Sequence, residues 1–380
     1  MAGIYVHVPF CKCRCRYCDF YSTTLADERE AYVIAVCREL QQRHDYLCGE
    51  PVTTLYLGGG TPSQLSPALL ASIINTVRNI YGLGQLEECT IEVNPDDIVD
   101  AATLQPTDWL RALRSELTMV TRVSMGIQSF DDRLLRIIRR RHSARQALAA
   151  VEALQQSGLQ EISIDLIYGL PMQTQEDFDA DLRQAVALGV PHLSAYHLSY
   201  EEGTALWQMR EQGVVKEADE ELSLQLFQQL RQRLLDAGYE HYEISNFALP
   251  GHRARHNSSY WAGIPYLGVG PGAHSYDGRS RRNNLCDLVA YNRAEGDVPH
   301  ETEFLTPTER YEECVMTRLR TAEGISLNMM TATFGTATTQ RLLRRAQRYM
   351  ERGQLALTDG QLHLTPAGIF VSDGIIADLF

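Results

Sequence analysis

The sequence predicts an α/β fold: an open, partial (β/α)6 barrel followed by a small winged-helix-like domain at the C-terminus. Apolar runs rich in β-forming residues alternate with amphipathic stretches through residues 1–240, the pattern of parallel strands joined by helices. Six such repeats, rather than eight, indicate a barrel that does not close. Near the C-terminus, helices are followed by two short strands about a turn, which is typical of a winged helix. A chain of 380 residues has room for one large and one small domain.

Capping residues mark the boundaries of the predicted helices. Ser66 stands directly before Pro67, so an N-cap residue is followed by a proline at the first helical position. Ser143 begins a helix over 144–157, and Thr174 caps the helix that follows the next strand. The predicted strands of the barrel cover residues 4–8, 52–57, 89–95, 122–129, 162–169 and 193–200.

The chain divides into three predicted regions: the partial barrel over 1–240, an extension of the barrel over 241–295, and the C-terminal domain over 296–380. The turn at Asp277 and Gly278 predicts a hairpin within the extension. Residues 283–303 are polar and have no clear period, so we expect an irregular segment that contains the domain boundary. The helical part of the C-terminal domain begins with a capping box from Thr306 to Glu309.

The composition is that of an ordinary soluble globular protein, with 44% hydrophobic and 22% charged residues. The net charge of −13 disfavours nucleic acid as a partner, although the basic run 136–141 leaves peripheral contact with a membrane open. No apolar run is long enough for a transmembrane segment, and no secretory signal is evident. We therefore expect a cytoplasmic protein.

Three cysteines near the N-terminus carry the strongest signal for chemistry. Cys11, Cys15 and Cys18 form a C-x3-C-x2-C array directly after the first predicted strand. Three thiolates can hold a [4Fe–4S] cluster and leave one iron open to a small molecule. Zinc with His7 as a fourth ligand is the alternative, whereas a disulfide framework is disfavoured because the other cysteines are scattered. Cys13, the additional thiol of the loop, receives no predicted role.

Polar and glycine residues follow the predicted strands at the edge where barrels of this kind build their sites. The second strand runs into Gly58-Gly59-Gly60-Thr61-Pro62, in which the backbone can approach a ligand closely, although such a run alone could also be a tight turn. Glu92, Gln128 and Asp165 fall at the ends of later strands. Each could be a core polar group bonded to nearby backbone, but their recurrence favours a shared ligand.

The run from Tyr5 to Phe20, with its three spaced cysteines, resembles the radical S-adenosylmethionine (SAM) superfamily and, within it, the coproporphyrinogen dehydrogenase-like branch. The resemblance implies that SAM binds the open iron and that electron transfer from the cluster cleaves it to a 5'-deoxyadenosyl radical. It also implies a set of SAM-binding residues: Tyr5, Tyr17, Gly59, Gly60, Thr61, Glu92, Gln128, Arg140 and Asp165. Carboxylates suit the ribose hydroxyls and the amino group of SAM, and an arginine suits its carboxylate.

A second motif, His256-Asn257-x-x-Tyr260-Trp261, resembles that of the heme chaperone family HemW. The resemblance implies that His256 contacts heme, with the aromatic rings packed against the porphyrin. The structural alternative is that Tyr260 and Trp261 are core residues and that His256 only forms hydrogen bonds. Phe20 stands where the dehydrogenase has a fourth cysteine, which argues against coproporphyrinogen decarboxylation.

The leading hypothesis is therefore a heme chaperone of porphyrin metabolism that binds a [4Fe–4S] cluster, SAM and heme and transfers heme to target proteins. Whether it is an enzyme stays open. The alternative is an oxygen-independent coproporphyrinogen III oxidase that uses the deoxyadenosyl radical. Nucleic-acid binding through the basic helix that contains Arg341 to Arg348 is disfavoured, because such a run is more often a solvated face. A homodimer stays open.

Overall fold

A computed structural model describes residues 1–380 and shows one large sheet and one small one. Six parallel strands lie side by side in chain order, and each pairs with the next. They are β1 (Ala2–Val8), β2 (Val52–Gly59), β3 (Glu88–Val93), β4 (Arg122–Gln128), β5 (Glu161–Tyr168) and β6 (His192–His197). The predicted open set of six parallel strands is confirmed.

Helices connect these strands and cover the sheet. The connecting helices of this part are α1 (Arg29–Gln42), α2 (Pro67–Tyr81), α3 (Pro95–Ile98), α4 (Asp108–Ser115), α5 (Asp132–Ile137), α6 (Ala144–Gln156), α7 (Gln175–Ala187), α8 (Ala205–Glu211) and α9 (Glu220–Asp236). The predicted caps are present: Ser66 Oγ accepts from the Leu69 amide at 3.3 Å, and Thr174 forms a complete capping box with Asp177. These local bonds explain where the helices begin.

The large sheet continues beyond the six parallel strands on both sides. On one side β6 pairs with β8 (Asn246–Ala248), which pairs with β7 (Glu240–Glu243). On the other, β1 pairs in parallel with β9 (Tyr266–Val269), and the antiparallel strands β10 (His274–Tyr276), β11 (Ser280–Asn284) and β12 (His300–Phe304) complete twelve strands. The predicted hairpin at Asp277 and Gly278 joins β10 to β11.

The expected irregular segment over 283–303 is wrong. It contains the end of β11, the helix α11 (Leu288–Arg293) and β12, which pairs with β11 from end to end. The expected domain boundary at residue 296 therefore falls inside the large sheet, and the small unit begins after β12. The sequence concealed this because β12, with the residues His-Glu-Thr-Glu-Phe, is an exposed edge strand without an apolar face.

The C-terminal unit has the order of a winged helix. It consists of α12 (Pro307–Leu319), β13 (Ile325–Ser326), α13 (Leu327–Phe334), α14 (Thr336–Glu351), β14 (Leu355–Thr358), β15 (Gln361–Leu364), α15 (Pro366–Ile369) and α16 (Ser372–Leu379). Its three strands form a separate antiparallel sheet, and its apolar core contains 13 buried residues apart from the 59 of the large core. The unit docks on the large sheet, where the amide of Ile244 donates to the carbonyl of Arg320 at 3.0 Å.

The helix α10 (Arg255–Trp261) packs under the first two strands and carries the His256 motif. No helix of the chain combines the length and the apolar character that crossing a bilayer requires.

Candidate cofactor site

A cavity of about 450 Å³ opens where the six parallel strands end. Of the residues predicted to bind the cluster or SAM, eleven line it: Cys11, Cys15, Tyr17, Cys18, Gly59, Gly60, Thr61, Glu92, Gln128, Arg140 and Asp165. Ligand sites of parallel α/β folds lie at this edge of the sheet. Residues from six separate segments of the chain thus share one pocket.

The cysteine loop follows β1 and is held at several points. The amide of Cys11 donates to the carbonyl of Thr23 at 2.9 Å, and the amide of Arg16 donates to the carbonyl of Ile138 at 3.1 Å. Lys12 pairs with the buried Asp97 at 2.7 Å, which ties the loop to the end of β3. These contacts position the loop over the strand ends.

The thiols suit a cluster better than a single metal ion. No three histidine, cysteine or acidic side chains lie close enough together to hold one ion. A [4Fe–4S] cluster binds each thiolate at a different iron, so its ligands stand further apart than those of zinc. His7 is not available as a fourth ligand, because its nitrogens face the Tyr5 hydroxyl at 3.1 Å and the Tyr21 carbonyl at 2.9 Å.

The electrostatics of the thiols also favour a bound cationic centre. Burial, with a smaller contribution from the nearby sulfurs of Cys15 and Cys11, raises the pKa of Cys18 to about 11. Burial likewise raises the pKa of Cys11. Ionised thiols at these buried positions would need positive charge beside them, and the iron of a cluster would supply it. All nine cysteines are free of disulfides.

The glycine loop after β2 lies so close to β1 that side chains would not fit between the two segments. Gly59 has a φ of +107°, and a Cβ there would lie 2.5 Å from Nδ1 of His7. A Cβ on Gly60 would lie 2.8 Å from the carbonyl carbon of Pro9. Thr61, the next residue, faces Cys11 with 3.5 Å between hydroxyl oxygen and sulfur. The close approach of β1 therefore requires glycine at both positions.

Two carboxyl groups lie on the wall of the cavity. Glu92 accepts hydrogen bonds from the Tyr56 hydroxyl at 2.7 Å and from the Gly59 amide at 2.9 Å. Asp165 accepts from Ser124 at 3.3 Å. Burial raises the pKa of Glu92 to about 7 and that of Asp165 to about 6. A cationic or hydroxyl-bearing ligand would compensate the buried charges.

Gln128 and Arg140 bring unpaired polar atoms to the same wall. The pairing of β4 with β5 shifts register between Gly126 and Gln128, and Gln128 has a φ of +73°. This bulge turns the side chain of Gln128 into the cavity, where its Oε1 has no hydrogen-bond partner. Nε of Arg140 is also buried without a partner. Unpaired buried groups of this kind are costly unless a ligand satisfies them.

Tyr5 is set apart from the other predicted SAM-binding residues. Its side chain lies behind the cavity wall, 6.0 Å from the Tyr56 ring between centroids. Conversely, Ser124 and Asn94 line the cavity but were not among the predicted binding residues. Ser124 could have been found from its strand, because Ser124 and Gly126 alternate along β4 and share one face.

Comparisons with known proteins match this geometry. The radical SAM superfamily model matches residues 5–185, and the model of the HemN C-terminal domain matches residues 305–371. Heme chaperone HemW of Lactococcus lactis is 34% identical over 326 residues, which cover 84% of this chain and 82% of that protein. Heme chaperone HemW of Synechocystis is 36% identical, with coverage of 85% and 78%. The chain belongs to the HemW family of radical SAM proteins.

The fold of this HemW-family chain is also that of a solved structure. Coproporphyrinogen III oxidase (HemN) from Escherichia coli, described as a radical SAM enzyme, superimposes with a TM-score of 0.83 over 100% of this chain and 90% of that one. The two sequences are 22% identical, so this likeness supports the fold and not the activity. The predicted family and fold class are confirmed.

The structure does not bring His256, the residue predicted to contact heme, to the lining of the cavity. Its side chain is fully buried, and its ring stacks on that of Tyr56 with 5.1 Å between the centroids. Its Nδ1 faces the Thr54 hydroxyl at 2.8 Å, and its Nε2 faces the Tyr260 hydroxyl at 2.7 Å, so both nitrogens are occupied. Burial lowers the pKa of His256 to about 3. These surroundings of His256 agree with the alternative interpretation of the sequence, in which the histidine only forms hydrogen bonds.

Proposed function

We propose that this HemW-family protein binds a [4Fe–4S] cluster and SAM in the cavity and serves as a heme chaperone that passes heme to target proteins. One observation carries the cofactor assignment: three free thiols, a glycine loop and unpaired polar atoms line a single cavity. The heme assignment is supported by the relatives, which are named heme chaperones and align over most of the chain.

Each part of the cavity wall has a role in this proposal. Cys11, Cys15 and Cys18 hold the cluster, which when bound supplies an electron for reductive cleavage of SAM. Glu92 would accept a hydrogen bond from the amino group of SAM, whose positive charge would offset the cost of burying the carboxylate. Asp165 would accept hydrogen bonds from the ribose hydroxyls of SAM, and Arg140 would donate to the carboxylate of SAM. The amide and carbonyl groups of the glycine loop border the ligand without steric obstruction.

Anaerobic reconstitution with iron and sulfide tests the cluster. In the unmodified protein we expect about four irons per chain and the visible absorption that is typical of a [4Fe–4S] cluster. Cys15→Ala should lose most of this iron, whereas Cys13→Ala, a matched change two residues away in the same loop, should retain it. Equal iron contents in the two variants would contradict the assignment of ligands.

The chaperone function is tested with heme and with an acceptor. The anaerobic protein should develop a Soret band with added heme, and that heme should move to an apo-hemoprotein when the two are mixed. Incubation with coproporphyrinogen III, SAM and a reductant should release no carbon dioxide. Turnover in that assay, without heme transfer, would instead establish the oxidase alternative. Phe20 argues against that alternative, because no thiol occupies the position where the oxidase branch has one.

A further inference from the structure

A chain of side-chain hydrogen bonds joins two of the cluster thiols across the cavity wall. Nη1 of Arg140 lies 3.5 Å from Sγ of Cys15, and Nη2 donates to Oδ1 of Asn94 at 2.5 Å. Nδ2 of Asn94 donates to the Thr61 hydroxyl at 3.1 Å. That hydroxyl lies 3.5 Å from Sγ of Cys11. Asn94 is therefore the middle member of a bridge between Cys15 and Cys11.

The directions of these bonds are mutually consistent. Arg140 can only donate, so Asn94 must present its carbonyl oxygen to it and its amino group to Thr61. Because the Thr61 oxygen accepts from Asn94, its proton is free to point at Cys11. Each of the two sulfurs thus receives one hydrogen bond when it is a thiolate, and a single amide orients both donors.

The position of Asn94 in the chain supports a role in this bridge. It occupies the N-cap position of α3 with extended backbone angles, where an asparagine usually accepts from the amides of its own helix. Here its side chain makes no such bond and faces the cavity. The capping interaction is given up for the contacts with Arg140 and Thr61.

Gly126 leaves the space that the bridge needs. A Cβ on Gly126 would lie 3.2 Å from Nη2 of Arg140 and 3.8 Å from Oδ1 of Asn94. The carbonyl of Gly126 accepts a further hydrogen bond from the same Nη2. The guanidinium is therefore held by one backbone and one side-chain acceptor on the side that faces the loop.

We propose that Asn94 is a positioning residue that raises the reduction potential of the cluster, by orienting the Thr61 hydroxyl toward Cys11 and the Arg140 guanidinium toward Cys15. The inference rests on the proposed cluster. Hydrogen bonds to the ligand sulfurs stabilise the more negative, reduced form of an iron–sulfur cluster. Removal of the Asn94 side chain should therefore weaken the hydrogen bonds to Cys11 and to Cys15 at once.

The test is a redox titration of the reconstituted protein followed by electron paramagnetic resonance. Asn94→Ala should shift the reduction potential to more negative values. Asn94→Asp keeps an acceptor for Arg140 but has no amino group for Thr61, whose proton turns to the carboxylate instead of Cys11. We therefore expect a negative shift in this variant too. Asn79→Ala, which removes an exposed asparagine of α2, should leave the potential unchanged.

A second pair of variants tests the same bridge without a change at Asn94. Thr61→Val removes the hydroxyl at nearly constant volume and should shift the potential in the same direction, while Thr61→Ser keeps the hydroxyl and should shift it much less. In the double variant Asn94→Ala with Thr61→Val, the shift should be smaller than the sum of the single shifts, because both changes break the same path.

The outcomes separate this inference from the proposed function. If the unmodified protein does not assemble a cluster, the proposed function itself fails. If it does, and the Asn94 and Thr61 variants all titrate at the potential of the unmodified protein, only the role of Asn94 is overturned. Should Asn94→Ala fail to retain iron, the Thr61 pair decides: equal potentials for Thr61→Val and Thr61→Ser overturn the inference.

Discussion

At the scale of single residues, the cavity wall concentrates charged and polar groups that are costly to bury. Glu92 and Asp165 have raised pKa values because they are buried, and Arg140 and Gln128 carry unpaired polar atoms. Such costs are typical of sites organised for a ligand and not for stability alone. Their common location at the strand ends is the reason why they can act together.

Glu92 should make the stability of the protein depend on pH. Its pKa is raised from 4.5 to about 7, so the folded state binds the proton more tightly than the unfolded state between these values. The free energy of unfolding therefore falls as the pH rises through this range. Relative to Glu92→Gln, which cannot ionise, we expect the free energy of unfolding to fall by about 2 kcal/mol between pH 5 and pH 8. This value is smaller than the full pKa shift would give, because one side of the carboxyl group faces the cavity.

Urea unfolding of both proteins at the two pH values measures this difference. The exposed Glu152→Gln change in α6 serves as a control and should give a difference that is the same at pH 5 and pH 8. A constant difference for Glu92→Gln as well would show that Glu92 has an ordinary pKa in the folded protein.

His256 should prove to be a structural residue. Its replacement by alanine removes the partner of the Thr54 and Tyr260 hydroxyls and leaves a buried gap, so we expect a loss of about 3 kcal/mol in the free energy of unfolding. The Soret band of the heme-loaded folded protein should not change, because hydrogen bonds within the protein occupy both ring nitrogens of His256. A lost or shifted band in a variant that is still folded would restore the interpretation of His256 as a heme ligand.

At the scale of elements, the short-range signals and the parallel strands were predicted correctly, whereas particular long-range pairings were missed. The caps at Ser66 and Thr174 depend on residues three positions apart, so the sequence displays them directly. The partners of His256 could not be seen in the same way, since Thr54 stands 202 positions earlier in the chain. The edge strand β12 was missed for a related reason: its only strand neighbour fixes its conformation, and its own pattern is polar.

The bulge in β4 shapes the cavity wall, and Gly126 beside it leaves room for the side chains of Gln128 and Arg140. In Gly126→Ala, the new Cβ would lie 2.9 Å from Nε2 of Gln128 and 3.2 Å from Nη2 of Arg140. Both are ends of long side chains, so we expect them to move at a cost of about 1 kcal/mol in stability. Affinity for SAM should fall about tenfold or more, because two ligand-binding groups are displaced.

Equilibrium binding of SAM to the reconstituted protein, together with thermal unfolding, measures the two effects of Gly126→Ala separately. Gly296→Ala adds the same methyl group at a position where no atom lies within 4 Å, and it should alter neither quantity appreciably. Unchanged SAM affinity in Gly126→Ala would mean that the side chains of Gln128 and Arg140 do not contact SAM.

At the scale of the whole molecule, a sequence resemblance identified the family and the radical SAM core, but the arrangement of the outer regions required coordinates. The cysteines, the glycine loop and the polar strand ends are successive features of one βα pattern, so their convergence follows from the parallel topology. The return of β9 to pair with β1 follows from no local pattern. The helix α10, which precedes β9 in the chain, contacts α12 of the winged unit.

Arg320 should couple the winged unit to the large sheet. Its guanidinium stacks over the Trp261 ring at 4.9 Å and faces the buried carboxyl group of Glu243, whose pKa is raised by burial and lowered by the nearby Arg320 charge. Arg320→Ala removes both interactions and should lower the free energy of unfolding by about 2 kcal/mol.

 Scanning calorimetry measures this loss as a lower melting temperature. We expect the winged unit to unfold before the large sheet, because its docking is weakened. Arg344→Ala, a change on the exposed face of α14, should melt like the unmodified protein. If Arg320→Ala also melts like it, the two units are held together by their backbone bonds, such as that from the Ala322 amide to the Tyr242 carbonyl at 3.0 Å, and not by this side chain.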